Sequence, residues 1–250
     1  MKERVEEIKR KVEEGSAKVD ENSTDLIEAI TKDSLKKKPE GEMIYSNQDI
    51  IDEFSTFFIA GVDTTSNYIT MMIYLIKQHP EVENKVREEI AEFMADEDYS
   101  YDNLKKLTYI DCVQKEVTRH FGPANFIFTR EAIEDHFLKG VPVYKGTLFG
   151  VQPLGTHYSE KYYKSPLEFR PERWIEECND VPIYAIGGFS GGPRTCIGKH
   201  LAKLEAKIGL IKFLKRFEKI ETPKEKIELY FRFMYQPKSY KSKLGKKLMI

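Results

Sequence analysis

Residues 189–210 read FSGGPRTCIGKHLAKLEAKIGL. A single cysteine, Cys196, stands between glycine-bearing bends and the start of a helical pattern. The glycines let the backbone turn so that N–H groups can face the sulfur. A metal binds thiolate rather than thiol, and a helix N-terminus favours an anion. Arg194, two residues away, offers a planar fork for a carboxylate, and Phe189 can wall the sulfur from water. The plainer reading is a small core side chain. The rest of the chain decides between filler and ligand.

The bulk numbers set the frame. The chain has 250 residues, with 40 Lys and Arg against 41 Asp and Glu and a net charge of -1. That balance gives no reason to expect nucleic acid as a partner. The three cysteines, Cys112, Cys178 and Cys196, are odd in number and show no CxxC spacing. This fits a reducing, cytoplasmic-facing compartment rather than a disulfide framework. The histidines do not cluster with the cysteines, so no zinc pattern is visible. The first residues, MKERVEEIKRKVEEG, are too charged for a signal peptide or membrane anchor. The apolar run around Phe57, Phe58 and Ile59 stops well short of the ~18 residues that span a bilayer.

Periodicity then divides the chain into a polar helical lead-in, residues 1–45, and a body, residues 46–250. The lead-in reads as two polar helical pieces and a lysine-rich loop. Ser46 followed by Asp49 is a capping-box pattern, and the apolar-periodic run behind it lasts to Gln78. A helix of that length measures ~48 Å. Pro80 suits the first turn of the next helix, to Met94. A third helix, about 109–119, ends before Gly122-Pro123. Short β-like runs follow at Phe126, Ile127 and Phe128, at Val141, Val143 and Tyr144, and at Leu148, Phe149 and Val151. Residues 152–188 read as loop. A helix runs from Gly198 to about Phe217, and a hairpin is expected around Gln236-Pro237. The plan is mainly α with a small β-sheet, an α+β fold.

Three further motifs stand out. Ala60-Gly61-Val62-Asp63-Thr64-Thr65 lies inside the long helix, where glycine costs ~1 kcal/mol relative to alanine. The small residues shave one side of the helix, either for close helix packing or for the approach of something bulky. Glu116 and Arg119 lie three apart on one helix face; alone they read as a surface ion pair. Phe169-Arg170-Pro171-Glu172-Arg173-Trp174 carries the sole tryptophan, and Arg173 can complete a buried network with Glu116 and Arg119.

Together, in this order and spacing, the four motifs resemble those of the cytochrome P-450 family of haem-thiolate monooxygenases. The resemblance runs from about residue 20 to the end and covers the C-terminal portion of that fold, from the helix before the long central helix to the final hairpin. It implies haem b, with Cys196 as axial ligand of the iron, and oxidation of a lipophilic substrate by dioxygen. Asp63 and Thr64 match the family's acid–alcohol pair for proton delivery, and Ala60 and Gly61 its oxygen notch. Phe189, Gly198, Arg194, Arg130 and His157 match haem-side positions, and Glu116, Arg119 and Arg173 the network that holds the cysteine loop. Gly188 stands where a proline commonly precedes Phe189. Substrate contacts are expected from Thr56, Ile59 and Ala60, from residues 124–127, and from Phe233 and Met234. Lys199, Lys203 and Lys207 recur every four residues, either as a docking stripe for a flavin reductase or other electron donor or as a plain solvated face. Full-length relatives often carry an endoplasmic-reticulum anchor, which this chain lacks. With the family's N-terminal half absent, Phe54, Phe57, Phe58, Tyr68, Met72 and Leu75 are expected to lose cover. The alternative is therefore a truncated, haem-binding or inactive relative. Isomerase, dehydratase or peroxygenase chemistry is disfavoured by the intact Asp63-Thr64 pair.

Overall fold

The computed structural model describes residues 2–14, 26–35, 45–124, 129–150, 152–177, 181, 188–221, 228–231, 235–237 and 243–246. Met1–Asp63 and Thr64–Ile250 form two compact units.

The first unit holds α1 (Lys2–Glu13), α2 (Leu26–Leu35) and the first half of α3 (Asn47–Gln78). Val5 and Ile8, three apart on α1, are buried, as are Thr31 and Ile50. The capping box forms as its sequence predicts. The Asp49 N–H donates to Ser46 Oγ at 3.1 Å, and the Ser46 N–H donates to Asp49 Oδ2 at 2.8 Å. With both reciprocal donors met, the helix starts at Asn47 and continues to the residue expected. Farther along, Phe58 is 62% exposed, and Ile59 and Val62 are exposed beside it.

The second unit is built on the rest of α3, α4 (Pro80–Phe93), α5 (Tyr101–Lys106), α6 (Thr108–His120) and α9 (Lys199–Arg216). Their apolar faces meet in one core that includes Met72, Ile76, Val86, Ile110, Val117, Leu210 and Ile211. Tyr68 and Met72 belong to this core, so the expected loss of cover is seen at Phe58 and not at these two. Pro80 opens α4, where its missing N–H costs nothing. The first N–H groups of α6 are met by another helix: Glu89 of α4 accepts from the Tyr109 and Ile110 N–H groups at 2.7 and 2.9 Å. Burial raises the pKa of the Glu89 carboxyl, and these two bonds oppose the shift.

Two short helices, α7 (Leu154–His157) and α8 (Arg173–Glu176), punctuate the long loop before the cysteine. The strands form two-stranded antiparallel ribbons. β1 (Thr129–Glu131) pairs with β4 (Leu148–Gly150), and β2 (His136–Leu138) with β3 (Val141–Val143). The β2–β3 turn is Lys139-Gly140, both at positive φ, the twist a two-residue hairpin favours. β5 (Phe217–Glu221) pairs with β8 (Lys243–Lys246), and β6 (Leu229–Phe231) with β7 (Tyr235–Pro237). The last pairing corrects the expected hairpin. Gln236 and Pro237 lie within a strand, opposite Tyr230 and Leu229. Proline is tolerated because a two-stranded ribbon is all edge. The run at Phe126, Ile127 and Phe128, and Phe233 and Met234, lie outside the described residues. The architecture is mainly helical with small antiparallel sheets, the α+β plan expected. No helix among the described residues is long and apolar enough to cross a membrane.

Candidate cofactor site

The cysteine loop closes on itself. The Cys196 N–H donates to the Phe189 carbonyl at 2.9 Å. Between them a 3₁₀ turn, Gly192–Arg194, is pinned by Thr195, whose N–H and hydroxyl both donate to the Gly192 carbonyl at 3.0 and 2.8 Å. Ser190 and Gly192 have φ of 61° and 69°. The left-handed geometry therefore demands glycine at position 192, whereas a Cβ at Gly198 would meet Cys196 Sγ at an ordinary 3.9 Å. The Cys196 carbonyl accepts from the Lys199 N–H at 3.3 Å, which ties the loop to the first turn of α9. Cys196 is a free, exposed thiol.

That thiol opens onto a cavity of about 320 Å³ in the second unit. Thr64, Thr65 and Tyr68 of α3 form one wall. Thr118 of α6 and Gly122, Pro123 and Ala124 behind it form another, with Arg130 of β1 alongside. Gly188, Phe189, Ser190, Arg194 and Cys196 of the loop, with Ala202 of α9, complete the lining. Thr64, Arg130, Phe189, Arg194 and Cys196, scattered over 133 positions of sequence, thus share one chamber. Arg130 reaches the loop directly, Nη2 to Ser190 Oγ at 3.5 Å. Ala60, Gly61 and Asp63 are exposed on α3 in the first unit. Among the described residues, a Cβ at Gly61 would meet nothing within 4 Å.

His157 is fully buried in α7, and its carbonyl accepts from Arg119 Nη1 at 2.8 Å.

The network itself forms in full. Glu116, Arg119 and Arg173 have no solvent exposure. Glu116 Oε1 accepts from Arg119 Nη2 at 2.7 Å and Arg173 Nε at 3.0 Å; Oε2 accepts from Arg119 Nε at 3.1 Å and the Trp174 indole N–H at 2.9 Å. The Arg170 N–H adds a bond to Oε1 at 3.0 Å. The remaining guanidinium donors go to carbonyls: Arg119 to Pro166 and Glu168, Arg173 to Lys164, Ser165 and Glu168. Burial works against ionisation of Glu116, but the hydrogen bonds from His120 and Arg119 and the Arg119 charge outweigh it and bring the pKa down to about 2. Among the described residues these bonds tie α6 to the segment 157–174.

The lysine stripe is corrected too. Lys207 is 6% exposed; its ammonium donates to the Leu104 and Leu107 carbonyls at 2.9 and 3.4 Å and pairs with Asp111 at 2.7 Å. Burial, and next the Lys199 charge, hold the pKa of Lys203 below the ordinary lysine value; its Nζ lies 5.9 Å from the centroid of the Phe189 ring. Four-residue spacing identified a common face, but its far end at Lys207 is buried against the end of α5 and Asp111 of α6. Sequence reasoning also missed Tyr68 and Thr118 as cavity walls. Tyr68 lies four residues beyond Thr64, a spacing that puts both on one side of α3.

Comparison with known proteins places this architecture. The family model described as cytochrome P450 matches residues 1–244, so the likeness begins earlier than about residue 20. Cytochrome P450 4V2 of Homo sapiens is 37% identical over 208 residues, 82% of this chain and 38% of that protein. The putative cytochrome P450 CYP13A5 of Caenorhabditis elegans is 36% identical over 173 residues, 68% of this chain and 33% of that protein. The chain therefore spans about a third of the length of the curated relatives it matches. The crystal structure of the cytochrome P450DA heme domain superposes with a TM-score of 0.82 at 24% identity, covering 99% of this chain and 54% of that one, which shows the fold. With the family model running over nearly all of it and relatives above 30% identity, the chain belongs to the cytochrome P450 family.

Proposed function

We propose that the cavity holds haem b and that the chain carries the site of a haem-thiolate monooxygenase acting on a lipophilic substrate. One observation carries this reading: a single chamber has Cys196, Thr64, Arg130 and Arg194 on its walls. The residues present fit the group. The lining is mostly small or apolar, which suits a flat macrocycle; the thiol is a soft axial donor for iron; the two guanidiniums suit a pair of propionates. Bound there, haem would supply the activation of dioxygen, one atom going to substrate and the other to water with two electrons from a flavin reductase or other donor and two protons.

The chain's own residues do the rest. Cys196 would supply the sulfur ligand, and Phe189 shares the cavity wall with it. Arg130 and Arg194 fix the cofactor's orientation through its carboxylates. The Thr64 hydroxyl, on the opposite wall, holds a proton for the reacting side, and Asp63 beside it on α3 replenishes it from solvent. By the family's pattern, Ala60 and Gly61 would leave the α3 face low, and Thr56, Ile59, Ala60 and residues 124–127 would meet an apolar substrate. Lys199 remains a candidate contact for the electron donor.

The exposure of Phe58, Ile59 and Val62 favours a second reading, haem binding without turnover. The test is the absorption spectrum of the reduced, CO-bound protein after haem addition. A thiolate-type Soret band in the native sequence, absent in Cys196→Ser, is expected; no such band from folded protein overturns the assignment. Substrate-dependent oxygen uptake separates the readings. If turnover occurs, Thr64→Ala keeps the band and diverts reducing equivalents to peroxide.

A further inference from the structure

Behind the cavity runs a buried strut that crosses three helices. The Tyr68 phenol of α3 donates to the Gln114 carbonyl of α6 at 2.6 Å. The Thr118 hydroxyl donates to the same carbonyl at 2.8 Å and stands 3.1 Å from the Tyr68 oxygen. The Gln114 side-chain amide then donates to the Lys203 carbonyl of α9 at 2.8 Å. Tyr68, Gln114 and Thr118 are each at most 5% exposed. Tyr68 and Thr118 also face the chamber that contains Cys196, and Lys203 adjoins Ala202 on its wall.

We propose that Tyr68 is a positioning residue. Held by Gln114 and Thr118, its phenol sets the separation between the α3 wall and the start of α9, and so the width of the slot above the Cys196 sulfur. The argument is geometric. Cys196 is tied to α9 through Lys199, and α9 is tied through Lys203 and Gln114 to the carbonyl that Tyr68 holds. Three polar groups buried together stay bonded, since each costs free energy if left alone. The two helices that face each other across the slot therefore share one hydrogen-bonded spacer. The proposal rests on the reading that the slot takes haem, and it adds which residue sets the fit.

The test uses the full chain and Tyr68→Phe, which keeps the ring and removes the bond. Haem affinity by titration is expected to fall roughly threefold to tenfold, the range for one buried hydrogen bond. The fraction of the reduced CO complex in the neutral-thiol form should rise. Thr118→Val should act in the same direction, and Thr118→Ser should restore native behaviour. A purely structural role for Tyr68 would lower the denaturation midpoint while affinity and thiol fraction, read far below that midpoint, stayed native; that result overturns the proposal. Hydrogen exchange on the haem-free protein supplies an arm that does not need the cofactor. Tyr68→Phe should speed exchange at the amides of residues 201–204, and unchanged rates there overturn the spacer. If the native chain gives no thiolate band yet exchange responds as expected, the haem reading fails and the spacer stands.

Discussion

The Glu116 network and the Cys196 loop are opposites. In the network every charge is buried, and each carboxylate oxygen and guanidinium meets partners at 2.6–3.2 Å. In the loop the thiol is exposed, Ser190 is left-handed, and the bonds among the described residues are mostly the loop's own backbone bonds with one long Arg130 contact. The contrast is between an anchor built from buried side-chain charges and a loop shaped by its own backbone. The two are coupled through helices: α6 carries both Glu116 and the Gln114 strut that reaches α9.

The sharpest way to break the comparison is to cut the network. Arg173→Ala should cost about 3–5 kcal/mol, because it removes one partner of a buried carboxylate rather than the whole group. Urea unfolding followed by tryptophan fluorescence would measure it, and a loss below ~1 kcal/mol would show the charges to be hydrated. Acid attacks the same carboxylate. Glu116 falls from an ordinary 4.5 to about 2 in the folded state. A folded-state value below the unfolded one means stability that is complete above pH 4.5 and is lost as the pH falls toward about 2. The loss should be about 3 kcal/mol, and Glu116→Gln should flatten that part of the profile. The loop should answer differently. Cys196→Ser should remove any thiolate band that haem addition produces, yet shift stability by no more than ~0.5 kcal/mol, the scale of an exposed substitution. Ser190→Gly should be the smallest effect, a gain below about 1 kcal/mol in unfolding free energy from relief of its positive φ. A loss there would mean that the Ser190 hydroxyl and Arg130 matter more to the loop than backbone strain.

Much of this was readable from sequence because it rests on local rules. Ser46 and Asp49 announce the start of α3, and apolar spacing carries it to Gln78. Pro80 opens α4, and the glycines before Cys196 announce the turn that Gly192 makes. Pairings across long stretches of chain were not readable. β5 meets β8 from more than twenty residues away, and nothing within Phe217–Glu221 names its partner. The Glu89 cap on α6 and the Gln114 amide on Lys203 join separate helices for the same reason. Lys207 was misjudged in a related way. Spacing says which residues share a face, but only packing says which face is turned inward.

Lys207 carries one more consequence. Its ammonium closes the carbonyl end of α5 at Leu104 and Leu107 and is bound to Asp111. To an amine-reactive footprinting reagent the helix behind the cysteine is therefore not a ladder of three equal rungs. The first rung, Lys199, should be modified readily, Lys203 more slowly, and Lys207 only after the chain has opened, making that one side chain an internal clock for unfolding.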